Sequence, residues 1–188
     1  LEEIKEKLSL NIAVWSSYGQ DGNSNGIFGQ QLNPDCTPAG DEFQINTTIT
    51  GNQSEPDVAV NSAGSFVIVW QGPGTSQEEI FARRFDPNGQ PLSGEFCVNT
   101  NTFSHQHSPE IAVSKSGSFV IVWESDQTAG SPSDVWWISF QLYDSNGTAV
   151  GTETTTNLLS QCRNPDVAMD DNGNFTIVWT QDDIYHSS

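Results

Sequence analysis

Positive charge is scarce in this chain: six Lys and Arg stand against 24 Asp and Glu, leaving a net charge of −18 over 188 residues. A surface of that sign repels phosphate backbones and anionic lipid headgroups, which excludes nucleic acid and membrane surfaces as expected partners. Long apolar runs are missing as well. Nothing approaches the roughly 18 residues that cross a bilayer as a helix, so no membrane insertion is expected. Neither an initiator Met nor a charged-then-apolar leader opens the chain, and the expectation is a mature or internal piece whose export signal lies upstream of Leu1 or has been removed. Cysteine is sparse too. Cys36, Cys97 and Cys162 are too few and too scattered for a disulfide scaffold or a CxxC metal site; one disulfide plus a free thiol fits their number, with the pair left open. No HExxH, Walker loop or dinucleotide fingerprint occurs, and nothing in the sequence groups a Ser, a His and an Asp as a set. The expectation is therefore no catalytic residue and no enzyme.

What is present is a repeat. Pro56-Asp57-Val58-Ala59-Val60, followed by Gly64-Ser65-Phe66-Val67-Ile68-Val69-Trp70, returns 53 residues later from Pro109 to Trp123 and again 56 residues later from Pro165 to Trp179. A truncated copy ends at Trp15, 55 residues before Trp70. The second half of the unit repeats as Gly26-Ile27-Phe28, Glu79-Ile80-Phe81 and Trp137-Ile138, and then as Glu42-Phe43-Gln44-Ile45-Asn46 and Glu95-Phe96-Cys97-Val98-Asn99. The third copy of that last run degrades to Glu153-Thr154-Thr155-Thr156-Asn157. Each unit thus carries four short β-rich runs, A to D, separated by turn residues. Run B is apolar at every position, as in a strand covered on both faces, while C and D alternate apolar with polar. A sustained helical period occurs only in Leu1 to Leu10, which reads as a short helix or a poorly matched strand.

Four short strands in about 50 residues is the content of one propeller blade. The fold class expected is all-β, with four-stranded antiparallel blades in a propeller-like arrangement of three to three and a half repeats; a β-sandwich or a stacked β-solenoid is the alternative. The division is an atypical N-terminal segment at 1–11, a partial repeat at 12–55, full repeats at 56–108 and 109–164, and a partial repeat at 165–188, giving 13 strands. Such a number of blades does not close a ring, so partners are expected at the terminal blade edges, either neighbouring repeats or another chain.

The motifs Glu95-Phe96-Cys97-Val98-Asn99-Thr100, Gln53 with Pro56, Gln106 with Pro109, Gln20-Asp21-Gly22 with Gly26-Ile27-Phe28, and Ala82-Arg83-Arg84-Phe85-Asp86 resemble the 50-odd-residue repeats of large secreted bacterial surface proteins and adhesin-like exoproteins. The resemblance covers residues 12 to 181. It implies an extracellular or cell-surface location and a non-catalytic role in display, adhesion or assembly through protein–protein contacts. The loop from Asp126 to Asp134 and the Thr154–Thr156 run depart from the pattern.

Trp15, Trp70, Trp123 and Trp179 recur at one place in every unit and are read as packing between blades. Trp136 and Trp137 break the pattern and, as adjacent strand residues, point to opposite faces. They are the candidate ligand-binding residues, because an exposed indole stacks on a sugar ring or anchors a partner. They carry the alternative function, a carbohydrate-binding or glycan-processing β-propeller. Asp170, Asn172 and Asn174, in a Gly-containing turn, form a candidate calcium loop, although the equivalent turns lack carboxylates; no other cofactor is expected. His105 and His107 share a face if extended, a spacing that suits a metal, but no third ligand lies near them in sequence.

Overall fold

A computed structural model of the chain describes residues 11–126, 135–156 and 161–182. The helical period of Leu1 to Leu10 and residues 127–134 of the expected long loop lie outside them. Among the described residues every element is a strand. β1 (Asn11–Tyr18), β2 (Asn25–Leu32) and β3 (Phe43–Gln44) form the first sheet. β4 (Ser54–Val60), β5 (Phe66–Pro73), β6 (Glu78–Phe85) and β7 (Phe96–Cys97) form the second, and β8 (Gln106–Val113), β9 (Phe119–Asp126), β10 (Trp136–Tyr143) and β11 (Ala149–Thr155) the third. β12 (Gln161–Met169) and β13 (Phe175–Asp182) pair in the fourth. All pairings are antiparallel between chain neighbours, and β4 and β12 both pack beside β8. The arrangement is all-β and propeller-like, with four-stranded antiparallel blades.

The apolar B runs explain why the sheets stack. On β5, Phe66, Ile68 and Trp70 pack back against Ile27 and Ile45 of the first sheet, while Val67 and Val69 pack forward against Ile111, Ile121 and Trp123 of the third. β9 repeats this: Phe119, Ile121 and Trp123 face backward, and Val120 and Val122 meet Val167, Phe175 and Ile177 ahead. A strand covered on both faces needs an apolar side chain at every position, which is the pattern in the sequence. On β13 Val178 is 55% exposed, because no described element lies beyond it.

Polar side chains fasten the outer strands. Asn99 Oδ1 accepts the Ile80 N–H at 2.8 Å and its Nδ2 donates to Asn101 O at 2.9 Å; Asn46 does the same with Ile27 and Thr48. Glu153 Oε2 accepts from both the N–H and the hydroxyl of Thr100, and Glu95 Oε2 likewise from Thr47. The Glu-Phe-x-x-Asn-Thr motif is therefore two devices: Asn and its sheet, Glu and the preceding one.

Two expectations change. The degraded third D run is the longest outer strand: the first two sheets carry Pro38 and Pro91 at the start of this run and are limited there to an isolated bridge, whereas the third has Ala149 opposite Tyr143 and stays paired to β10 as far as Thr155. The three cysteines are all free.

Trp123→Ala removes a fully buried indole and its bond to Gln106 Oε1 at 2.8 Å, and should cost about 3–5 kcal/mol of stability. Trp179→Ala, at the half-buried equivalent in the outermost sheet, should cost clearly less. Urea unfolding of the two variants measures the difference, and equal losses would contradict the account of the core.

Candidate functional site

The inner strands share an irregularity. In β4, β8 and β12 two residues oppose one on the partner strand, Glu55-Pro56 facing Trp70, Ser108-Pro109 facing Trp123 and Asn164-Pro165 facing Trp179. The first residue of each bulge sits in the left-handed region, with φ of 51° at Glu55, 50° at Ser108 and 51° at Asn164. None is glycine, so each position costs on the order of 1–2 kcal/mol of backbone strain. The proline after it suits a bulge, since it has no N–H to leave unpaired.

What holds the bulges is the sheet before. The Ser108 N–H donates to Gln71 Oε1 at 3.2 Å and to Glu55 Oε2 at 3.1 Å, and the Asn164 N–H donates to Glu124 Oε1 at 2.7 Å. Gln71 and Glu124 are the residues that follow the repeated Trp70 and Trp123. The same strained turn is thereby repeated three times around one point, and between the turns lies a cavity of about 330 Å³ lined by the three bulges and Glu110.

Immediately after each bulge proline stands an acid: Asp57, Glu110 and Asp166. Asp57 Oδ2 accepts the Ile111 N–H at 2.9 Å, while its carboxylate also hydrogen-bonds Glu110. Burial, then the Asp57 charge and hydrogen bond, then the Asp166 charge push the Glu110 carboxyl up to about 7. A carboxyl held protonated near neutrality beside a second carboxylate is a proton donor poised for general acid work. The sequence contained a signal for this set, the acid at a fixed place after each repeated proline.

The residues singled out from sequence fall elsewhere. Trp136 is buried, with the Arg163 guanidinium 4.1 Å from its ring centroid and the His107 ring at 5.1 Å; Trp137, pointing the other way, is half-buried. Both lie at the end of the sheet that carries the bulges, since Trp136 pairs with Asp126, whose N–H donates to His105 O. Asp170, Asn172 and Asn174 lie at the opposite end of β12. Asp170 Oδ1 accepts the N–H groups of Asn172 and Asn174, both at 2.9 Å, and the Asn174 side chain and backbone hold its carboxyl below the ordinary value. Asp86 and Asp144 organise their turns in the same way. His105 and His107 stack on one another and meet Glu78, a third ligand type that is distant in sequence.

No protein-family model and no curated protein sequence matches the chain. Solved structures do share its fold. An α-L-arabinanase of Penicillium chrysogenum, solved with arabinobiose, superposes with a TM-score of 0.60 at 15% identity over 89% of this chain and 52% of its own. An endo-arabinase of Bacteroides thetaiotaomicron gives 0.55 at 14% over 93% and 66%. An α-L-arabinofuranosidase of Fusarium graminearum, solved with an iminosugar inhibitor, gives 0.57 at 11% over 90% and 53%. The chain spans about half to two thirds of the length of these proteins. The likeness establishes the fold. It also corrects the expectation of a non-catalytic module for display, adhesion or assembly, and with it the expectation that the chain is no enzyme: the three proteins named here are all enzymes acting on glycans. The acids on the inner strands stand 53 and 56 residues apart, beyond the span of any contiguous motif.

The raised Glu110 carboxyl sets a pH dependence. Between its ordinary 4.5 and about 7 the folded chain binds a proton that the unfolded chain has released, so this group makes stability fall as pH rises through that window. Glu110→Gln cannot titrate. Its stability relative to the parent should therefore increase from pH 4.5 to 7, as followed by thermal unfolding across that range; a constant difference would show that Glu110 is not raised.

Proposed function

We propose that this chain forms part of a glycan-processing β-propeller whose reaction centre is the cavity between the three inner-strand bulges, with Glu110 as general acid. The observation that carries the reading is the Glu110 carboxyl, pushed up to about 7 between Asp57 and Asp166 at the mouth of that cavity. Cleavage of a glycosidic bond needs a proton for the departing oxygen and a second carboxylate to assist water or to bond the sugar. Carboxyl pairs that divide these roles stand about 5–5.5 Å or about 6.5–9.5 Å apart. Asp57 hydrogen-bonds Glu110, so its part is to hold the Glu110 proton and the second carboxylate must come from elsewhere. Asp57 keeps Glu110 protonated, and Asp166, exposed on the adjacent inner strand, is the second carboxylate.

The likeness in fold to enzymes named for arabinan and arabinofuranosides supports a pentose-containing polysaccharide as substrate. Trp137, half-buried at the same end of the sheets, is the aromatic surface offered to a sugar, and Trp136 shapes the wall behind it. The resemblance of the repeats to those of secreted bacterial proteins supports an exported protein. The free edges of β1 and β13, unpaired among the described residues, are where neighbouring repeats or another chain would complete the ring.

Incubation with arabinan, arabinoxylan and a pentose-free glucan, read as released reducing ends, tests the reading. The expectation is activity on the pentose polymers, reduced about 10²- to 10⁴-fold in Glu110→Gln with little change in binding. Absence of both release and glycan binding by calorimetry would refute it.

A further inference from the structure

The positions that break the repeat converge on one groove between the second and third sheets. Glu78 opens β6, His107 is the second residue of β8 and His105 directly precedes that strand. In neighbouring repeats the matching places hold Trp136 for Glu78, Asn52 and Gln161 for His105, and Ser54 and Arg163 for His107. Two of the three histidines in the chain are thus concentrated at one point. One ligand atom from each of Glu78, His105 and His107 lies within 4.8 Å of the others.

The surroundings orient the set. The His105 and His107 rings stack with centroids 5.5 Å apart and planes 15° from parallel, and Glu78 Oε2 contacts His105 Nδ1. His107 Nδ1 faces Gln71 Oε1 at 3.2 Å. With its proton donated to that amide oxygen, His107 presents an unprotonated Nε2, the arrangement by which an outer partner fixes the tautomer of a metal-bound imidazole. Behind it the Trp136 ring, itself capped by Arg163, which bonds Glu124 Oε2 at 2.8 Å, closes the groove. The Glu78 and His105 side chains are 43% and 41% exposed, so an ion can enter from solvent.

We propose that Glu78, His105 and His107 bind a divalent transition-metal ion, zinc above all, that clamps the second sheet to the third. Two imidazoles and a carboxylate are the donors of a borderline ion; calcium and magnesium prefer an all-oxygen shell. Three protein ligands leave one position of a tetrahedron to water. One carboxylate among the ligands leaves a net single positive charge on the loaded site, welcome in a protein of net charge −18. The clamp joins two sheets that otherwise meet through the apolar layer of Val67, Val69 and Ile111 and the Asp57 and Gln71 bonds, and it stands independently of the glycan reading.

Titration of chelator-treated protein with zinc chloride by calorimetry tests the site. One equivalent should bind, insensitive to a tenfold excess of calcium or magnesium, and should raise the melting temperature. His107→Ala should weaken the binding at least about 100-fold and abolish the thermal shift. Glu78→Gln, at an exposed position that leaves the fold intact, should weaken it at least about tenfold, and cobalt should give a visible ligand-field spectrum in the parent that is lost in both variants. No stoichiometric binding, calcium competing on equal terms, or zinc binding unchanged in Glu78→Gln would each overturn the proposal.

Discussion

Burial of one strand per blade on both faces is the constraint from which the rest of this structure follows. β5 and β9 have no solvent side, so each sheet serves as the neighbour's core wall and none of the complete sheets can stand alone. That requirement fixes the spacing between sheets, and with it the distance between inner strands. The indoles at the ends of these strands extend the apolar layer to the point where the inner strand bulges. Trp123 hydrogen-bonds through its N–H to the buried Gln106, so a large aromatic group packs there without leaving a buried donor unpaired.

The bulges turn this packing into a site. A regular antiparallel ladder would carry the inner strand past the axis with its side chains alternating evenly. Inserting one residue re-aims the chain and presents the three successive prolines, with Glu55 and Glu110, toward a common cavity. The backbone strain at Glu55, Ser108 and Asn164 is offset by side chains of the preceding sheet that accept the N–H groups of Ser108 and Asn164. Three-fold repetition then brings like charges together. Burial first, and then the neighbouring Asp57 and Asp166 charges, raise the Glu110 carboxyl. The acid–base character of the cavity is thus a product of repetition, and no single blade contains it.

Departures from the repeat matter in the opposite way. Where Glu78, His105, His107, Trp136 and Arg163 replace the residues of neighbouring units, they meet at one place, reached from the second, third and fourth sheets. The turn at Asp170 shows the contrasting case. Its carboxylate accepts backbone N–H groups of its own hairpin, as at Asp86 and Asp144.

The four-stranded antiparallel sheets and the two-faced burial of Phe66–Trp70 and Phe119–Trp123 were legible in the sequence, because each depends on local alternation and on a period that recurs within the chain. So was the role of the recurrent Trp residues. The long β11 was not, since the bare Thr-rich run hid the absence of a strand-breaking proline at Ala149, the place of Pro38 and Pro91 in the first two sheets. Tertiary structure alone decided the site. Asp57 with Glu110, and Glu78 with His105 and His107, are pairings across sheets, and their proton affinities and ligand geometry depend on distances that no local pattern encodes. A residue type declares what chemistry is available; which neighbour shares its proton or its metal is settled only when separate sheets pack.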